Sequence, residues 1–185
     1  IKEFASNPRV VGAVAPSSSK LSRDMVCAVD WDNTSNVVEY GPGTGVITHE
    51  IVSRLPDDAK FLTIEISPRF AAMTRNRFPD VQVCEGSVED VRNHCDNCGV
   101  EQVDAVLSGL PWASFSASDQ ARFLDATMQV LRPGGQFLTF AYLQGMLLPA
   151  GQRFRRRLKE YFSEVRVSKP VWANLPPAVY YRCRR

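Results

Sequence analysis

Short apolar runs alternate with amphipathic stretches along the chain. The runs are rich in Val, Ile, Leu and Phe and end at turn residues, which is typical of strands buried on both faces of a sheet. They read NVVEY (36–40), KFLTIEI (60–66), VQVCEG (81–86), VDAVLSG (103–109) and GQFLTFAY (135–142). Helical spacing appears between them, in GVITHEIVSRL (45–55), SPRFAAMTRNRF (67–78), SVEDVRNHC (87–95) and SDQARFLDATMQVL (118–131). The segment RPGG is expected to end the last of these helices.

This alternation predicts an α/β fold, in which helices cover both faces of a parallel sheet. After a further helix around Arg156, SEVRVSK (163–169) and AVYYRCRR (178–185) predict two more strands, which complete a seven-stranded, mostly parallel sheet. A chain of 185 residues with 44% hydrophobic residues can form one substantial core. Residues 1–185 are therefore expected to form a single domain. No apolar stretch approaches the roughly 20 residues of a membrane-spanning helix.

The turn after the first predicted strand carries the most informative motif, VVEYGPGTG (37–45). Gly41, Gly43 and Gly45 do not form the G-x-G-x-x-G of dinucleotide-binding proteins, and no Lys follows them as in a phosphate-binding loop. Instead, Glu39 precedes the glycines and Glu65 ends the second strand, where a carboxylate can bind both hydroxyls of a ribose. This combination indicates a nucleoside with positive charge and no phosphates, a description that S-adenosylmethionine (SAM) fits. The alternative is a structural turn with two incidental acids.

VVEYGPGTG resembles the first motif of class I SAM-dependent methyltransferases, which implies a Rossmann-like fold. Four further segments resemble the bacterial phospholipid N-methyltransferases: NPRVVGAVAPSSSKLSRDM (7–25), SGLPWASF (108–115), FLTFAY (137–142) and VWANLPPAVYYRCRR (171–185). This resemblance covers nearly the whole chain. It implies that the protein methylates phosphatidylethanolamine and its mono- and dimethyl forms, giving phosphatidylcholine.

The resemblance also implies which residues hold SAM. They are Glu39, Gly41, Gly43, Gly45, Glu65, Ile66, Ser87, Val88 and Ser108. Many methyltransferases place an acid after the third strand to bind the adenine amino group. Ser87 stands there instead, so a charged contact requires Glu89 to turn inward. The loop SGLPW lacks the Asn or Asp found in the N-P-P-Y type motifs of adenine N-methyltransferases, which argues against an adenine acceptor.

Methyl transfer to an amine depends mainly on alignment and on desolvation of the neutral amine, so few catalytic side chains are expected. Tyr142, at the ligand end of its predicted strand, is the first candidate to position the amine, and Ser108 is the second. Leu110 is expected in the acceptor pocket, where Trp112 and Tyr180 are candidates for cation–π contacts with methylated nitrogens. The alternative is that these aromatic residues belong to the core.

The segment APSSSKLSRDM (15–25) predicts a helix that Ser17 or Ser18 caps, with Leu21 and Met25 on its apolar face. It is expected to belong to a helical cover over the SAM site at about residues 1–30. The free amides of a helix N-terminus suit a phosphate. Ser17, Ser18 and Lys20 are therefore candidates to bind the lipid phosphate.

Charge is unevenly distributed along the chain. Residues 1–100 carry ten Lys/Arg against fourteen Asp/Glu, whereas residues 101–185 carry twelve against six. In the basic half, RFRRRLKE (153–160) predicts a helix with Phe154, Leu158 and Tyr161 toward the core and its arginines outward. That face is either simply solvated or meets phosphates of a lipid surface or of a nucleic acid.

Cysteine and histidine usage indicates the compartment and argues against a metal site. Five cysteines without a disulfide-like framework favour a reduced, cytoplasmic protein. HCDNC (94–98) places Cys95 and Cys98 at metal-ligand spacing, but no second pair completes a zinc site. No metal is expected, and free thiols or a loop disulfide both remain open. His49 and His94 are expected at the surface.

The leading hypothesis is a peripheral enzyme on the inner face of the membrane, whose partners are an anionic bilayer and its phospholipids. An RNA adenine N-methyltransferase is the alternative, supported by the glycine loop and the basic half, although the SGLPW loop argues against nucleic acid. A SAM-binding lipid sensor without turnover would carry the same binding motifs. Nothing in the sequence indicates an obligate protein partner.

Overall fold

Seven strands form one mixed sheet in a computed structural model that describes residues 18–185. Their order is β3-β2-β1-β4-β5-β7-β6, in which the first five are parallel and β7 runs antiparallel to both neighbours. The strands are β1 (Asn36–Tyr40), β2 (Lys60–Glu65), β3 (Gln82–Glu85), β4 (Val103–Ser108), β5 (Leu131–Tyr142), β6 (Glu164–Val167) and β7 (Ala178–Arg184). The predicted α/β fold with a seven-stranded, mostly parallel sheet is confirmed.

Helices pack on both faces of this sheet. Buried residues of α4, α5 and α7 form one core cluster against it, and those of α1 and α2 form a second cluster on the opposite face. Short 3-10 turns precede β1, α4 and α5. The helices are α1 (Ser19–Cys27), α2 (Val46–Val52), α3 (Pro68–Arg77), α4 (Val91–Asn97), α5 (Ala117–Val130), α6 (Leu143–Leu147) and α7 (Pro149–Tyr161).

Two helices confirm the side-chain pattern predicted for them. At the start of α1, Ser18 Oγ accepts a hydrogen bond from Leu21 N–H at 3.2 Å, and Met25 is fully buried on the apolar face. In α7, Phe154 and Leu158 are buried. Within residues 18–185, no helix is long and apolar enough to cross a membrane.

The helix α5 ends just before RPGG, as expected, but the strand that follows begins at Leu131 rather than at Gly135. β5 begins at Leu131, directly after α5, and continues through residues 132–135. Its pairing with β4 shifts there: Val103 lies opposite Leu131, whereas Ala105 already lies opposite Gln136. Residues 132–135 therefore form a bulge opposite Asp104, so β5 has an irregular start.

A single carboxylate stabilises this bulge. Asp104 accepts a hydrogen bond from Arg132 Nε, and its second oxygen accepts from the backbone N–H groups of Ser35 at 2.9 Å and Asn36 at 2.8 Å. Burial raises the pKa of Asp104, but these hydrogen bonds outweigh it and lower the pKa below its ordinary value. The carboxylate thus links the starts of β1, β4 and β5.

We expect Asp104→Asn to lower the free energy of unfolding at neutral pH by about 1 to 3 kcal/mol, because three donors lose a charged acceptor. The folded pKa is depressed, so this contribution is present above the unfolded pKa and is lost as pH falls through the folded value. Urea unfolding at neutral and at acidic pH should show the difference from wild type shrinking in acid. Glu164→Gln, in an exposed pair with Arg166, is the control and should change little. A difference that stays constant with pH would contradict this role.

Candidate active site

The glycine turn lies at the carboxyl end of the central strand β1. Gly41, Gly43 and Gly45 have φ values of +67°, +53° and +79°, a region that favours glycine. A Cβ on Gly41 would lie 2.8 Å from Leu110 Cδ2, whereas a Cβ on Gly43 would meet no atom within 4 Å. The backbone at Gly43 therefore borders open space, where a ligand can approach closely.

Glu39 is fully buried beneath this turn. Its Oε2 accepts a hydrogen bond from Thr48 Oγ1 at 2.7 Å, while its Oε1 is buried without a hydrogen-bond partner in the described part of the chain. Burial raises the pKa of Glu39 to about 8; the Thr48 hydrogen bond lowers it in part and nearby Glu65 raises it further. A cationic group at Oε1 would complete this site and restore the ionised form.

Glu65 ends the neighbouring strand β2 and is also buried. Its Oε2 accepts from Gly43 N–H at 3.3 Å and its Oε1 from Ser67 N–H at 2.9 Å. Burial raises the pKa of Glu65, although these amides lower it in part. Ile66 follows with an exposed side chain. Two of the predicted ligand residues, Gly43 and Glu65, are thus in direct contact.

The turn after β3 holds the predicted adenine contacts. Ser87 Oγ accepts from Glu89 N–H at 3.2 Å, and Val88 is buried. The carboxylate of Glu89 pairs with Arg122 Nε at 2.9 Å. Glu89 is therefore directed at α5, and Ser87 with the amide of Val88 remain the candidates for the adenine edge.

The loop after β4 is held by a buried hydrogen bond. Ser108 Oγ accepts from Trp112 Nε1 at 2.9 Å and from Leu110 N–H at 3.3 Å. The Trp112 ring is 2% exposed and stacks on Phe154 with centroids 4.8 Å apart. The Ser108 hydroxyl therefore fixes the loop, and Trp112 combines a place in the core with a place in the wall of the adjoining cavity.

A cavity of about 240 Å³ lies beyond the carboxyl ends of β4 and β5. Its wall is apolar and aromatic, and no Asp, Glu, His, Lys or Arg of the described chain lines it. It includes Gly109, Trp112, Phe140, Tyr142, Met146, Phe154 and Tyr181. Two predicted acceptor residues, Trp112 and Tyr142, therefore share one cavity. Three other candidates for the acceptor side, Ser108, Leu110 and Tyr180, do not line it, contrary to expectation. Leu110 packs against the first core cluster beside Gly41, and Tyr180 packs against the cluster of α1 and α2.

The predicted phosphate-binding group is already engaged by the protein. Ser18 caps α1, and its N–H donates to Asn174 Oδ1 at 2.7 Å. Lys20 Nζ pairs with Asp24 at 2.9 Å in an exposed position. Ser17 lies outside the described residues. A phosphate at this helix start would therefore have to compete with Asp24 for Lys20.

The cysteines are free, and His94 differs from its expected surface position. Cys98 Sγ lies 3.8 Å from Cys84 Sγ, and Cys95 is buried. His94 Nε2 is buried beneath Gly86, whereas His49 is exposed. Within residues 18–185, no group of three or more His, Cys, Asp or Glu side chains could hold a metal ion.

Some residues of the site were not predicted from sequence. Thr48 is the hydrogen-bond donor to Glu39, nine positions later in the chain. Met146 and Tyr181 join the cavity from α6 and β7. Thr48 could have been found, because it lies on the first turn of the helix that follows the glycine motif. The cavity residues come from separate elements and carry no common local signal.

Comparison with known proteins agrees with this geometry. A family model described as a methyltransferase domain matches residues 37–135, which is more than half of the chain. An ornithine lipid N-methyltransferase of Singulisphaera acidiphila is 38% identical over 98% of this chain and 92% of that protein. The chain belongs to the class I SAM-dependent methyltransferases.

Other similarities are more partial. A ribosomal RNA small subunit methyltransferase A of Chlorobium phaeobacteroides is 29% identical over 50% of this chain and 33% of its own length. The fold matches an O-methyltransferase from Bacillus cereus in complex with SAH, with a TM-score of 0.70 and 15% identity over 98% of this chain and 89% of that one. SAM is the cofactor of this methyltransferase.

The described residues fit SAM. We propose that Glu39 Oε1, the buried oxygen without a partner, accepts from the ammonium of its methionine part. Glu65 lies where a carboxylate can bind the ribose hydroxyls, and the open space at Gly43 admits the ligand between the two acids. The positive charge of SAM would then offset the burial of Glu39.

We expect SAM binding to release protons at about pH 6.5, because Glu39 is protonated in the free protein and ionises beside the ammonium. Calorimetry in two buffers of different ionisation enthalpy measures this release. Glu39→Gln should abolish it and weaken SAM binding by about 10- to 100-fold. Glu85→Gln, at the exposed end of β3, is the matched control and should leave both unchanged. Equal proton release by wild type and Glu39→Gln would contradict the assignment.

Proposed function

We propose that this methyltransferase transfers methyl groups from SAM to the primary amine of a membrane lipid headgroup. The observation that carries the proposal is the apolar, aromatic cavity beside the SAM edge, which has no ionisable wall residue besides tyrosines among those described. Such surroundings disfavour an ammonium and favour the neutral amine. They therefore favour the neutral amine, the protonation state that has a free lone pair and can accept a methyl group.

The chemistry asks little more of the protein. SAM would supply a methyl group on a sulfonium sulfur. The neutral amine nitrogen forms the new C–N bond in line as the C–S bond breaks and S-adenosylhomocysteine leaves, and an ammonium product that still carries N–H passes a proton to water. The cavity excludes water and aligns the nitrogen. Burial raises the pKa of Tyr142, so its phenol stays protonated and can hold the amine by a hydrogen bond. The aromatic rings can also stabilise the methylated, cationic nitrogen.

Two headgroups fit a pocket for a primary amine. The segments that resemble phospholipid N-methyltransferases support phosphatidylethanolamine and its mono- and dimethyl forms, with phosphatidylcholine as the final product. The relative from Singulisphaera acidiphila supports an ornithine lipid. Both present an amine at the end of a short chain beside an anion. In this proposal the enzyme acts at the inner face of the membrane, on an anionic bilayer.

The RNA alternative has one observation in its favour. The ribosomal RNA methyltransferase aligns with half of this chain, and the second half of the chain is basic. Against it, the loop after β4 reads Ser108-Gly109-Leu110-Pro111-Trp112, and its Ser108 is taken up by Trp112. An adenine acceptor would find no carboxylate or carboxamide there.

Transfer of labelled methyl from SAM tests the proposal directly. The acceptors are vesicles with phosphatidylethanolamine, vesicles with ornithine lipid, bulk RNA, and buffer alone. We expect label in the lipid extract as mono-, di- or trimethylated product, which also identifies the headgroup. Label in RNA alone would overturn the proposal in favour of the alternative. SAM binding without label in any acceptor would also overturn it and would favour a lipid sensor.

We expect Tyr142→Phe to lower kcat by about tenfold, because the amine loses a positioning hydrogen bond worth about 1 to 1.5 kcal/mol. The dissociation constant of SAM should stay unchanged, since Tyr142 lies in the cavity rather than beside the two acids. Tyr180→Phe is the matched control, because Tyr180 lies on the same face of the sheet but does not line the cavity, and it should keep wild-type turnover. Equal losses in both variants, or a loss of SAM affinity, would contradict this role of Tyr142.

A further inference from the structure

Four large apolar side chains are far more exposed than any others in the described part of the chain. Leu147, Leu148, Trp172 and Leu175 are 78%, 57%, 70% and 78% exposed, whereas the remaining exposed apolar side chains reach at most 44%. We call these four residues the apolar rim. Isolated exposed apolar residues are common in proteins, but a group of four in two short segments indicates an interaction site.

Both segments of the rim leave the same end of the sheet. Leu147 ends α6 and Leu148 joins it to α7, shortly after β5 ends, and the other two lie just before β7 begins. The two segments are joined where Leu143 N–H donates to the Pro177 carbonyl at 2.9 Å. Met146, immediately before Leu147, lines the acceptor cavity. The rim therefore borders the cavity.

The exposure of Trp172 and Leu175 is imposed by buried neighbours. Val171 is buried, and its N–H donates to the Ala178 carbonyl at 2.7 Å. Asn174 is 2% exposed; its Oδ1 accepts from Ser18 N–H at 2.7 Å and its Nδ2 donates to the Pro176 carbonyl at 2.6 Å. These inward anchors hold the two apolar side chains outward.

The segment that carries the rim is basic. Residues 143–177, between β5 and β7, contain seven Lys/Arg and two Glu. Arg153, Arg156 and Lys169 are exposed near the two rim segments in the chain. Apolar tips flanked by cations complement a surface that is negative outside and apolar within, as an anionic bilayer is.

We propose that the apolar rim inserts into an anionic lipid bilayer and turns the mouth of the acceptor cavity toward it. Tryptophan is well suited to the interface between headgroups and acyl chains. The inference rests on the proposed function and adds the surface through which the enzyme would meet its substrate. A second copy of the chain would bring equal positive charge to the rim. Residues 1–17 carry two cations and one acid. An anionic bilayer therefore complements the positive charge near the rim better than a second copy or residues 1–17 would.

Vesicles of phosphatidylglycerol and phosphatidylcholine in equal parts, without any aminolipid, test the rim alone. We expect Trp172 emission to shift to shorter wavelength when they are added, and Trp172→Phe to lose that shift. Leu147→Ser with Leu175→Ser should weaken vesicle binding by about tenfold or more. Val52→Ser, which removes an exposed apolar side chain on α2, is the matched control and should bind like wild type.

Three outcomes would overturn the inference. They are unchanged vesicle binding by the double variant, Trp172 emission that is already shifted and ignores vesicles, and a shift that follows protein concentration alone. The last two would show that the chain itself or a second copy covers the rim. The double variant should methylate aminolipid in detergent micelles as wild type does, since no docking is needed there. Vesicle binding that depends on the rim, without methylation of aminolipid in vesicles or in micelles, would instead reject the proposed function while supporting the role of the rim in membrane binding.

Discussion

The site depends on a carboxylate buried without a cationic partner. Parallel strands bring their carboxyl ends to one edge, and Glu39 lies there, one residue before the end of the central strand and beneath a turn of glycines. In the described chain only Thr48 donates a hydrogen bond to its carboxylate. Burial favours the protonated acid, as its pKa of about 8 shows. The fold thus keeps one carboxylate oxygen without a hydrogen bond at its centre. A cationic ligand would supply the missing partner, whereas an apolar residue at this position would have required none.

The strand order gives the two sides of this edge different chemistry. The carboxyl ends of β1 and β2 carry Glu39 and Glu65, which suit a cation and ribose hydroxyls. β4 and β5 end in the loop fixed by Ser108 and in Tyr142, around an aromatic cavity. An acidic side stabilises positive charge, whereas an apolar side removes it from an amine. In the proposed function, a methyl donor with positive charge and an amine acceptor without it therefore bind in opposite environments within one site.

The elements were predictable where the apolar pattern is contiguous, since strands buried on both faces leave little ambiguity; β1 and β4 differ by at most one residue from expectation. The start of β5 could not be predicted, because RPGG has the local features of a turn. Its place in the strand depends on Asp104, which is distant in sequence. The glycine motif and its acids were readable because they are local. The cavity could not be predicted, because its wall joins side chains from separate elements. Tyr180 was predicted there, but its neighbour Tyr181, which packs against the other core cluster, is the one that lines the cavity.

The charge asymmetry of the sequence becomes an asymmetry in space. Because the order is β3-β2-β1-β4-β5-β7-β6, the acidic first half of the chain builds one side of the sheet and the basic second half builds the other. The acids that suit the donor thus lie away from the cations around the apolar rim. In the proposed function this separation serves both ligands, because cations placed beside Glu39 would oppose SAM, and acids placed beside Leu147 and Leu175 would oppose an anionic bilayer.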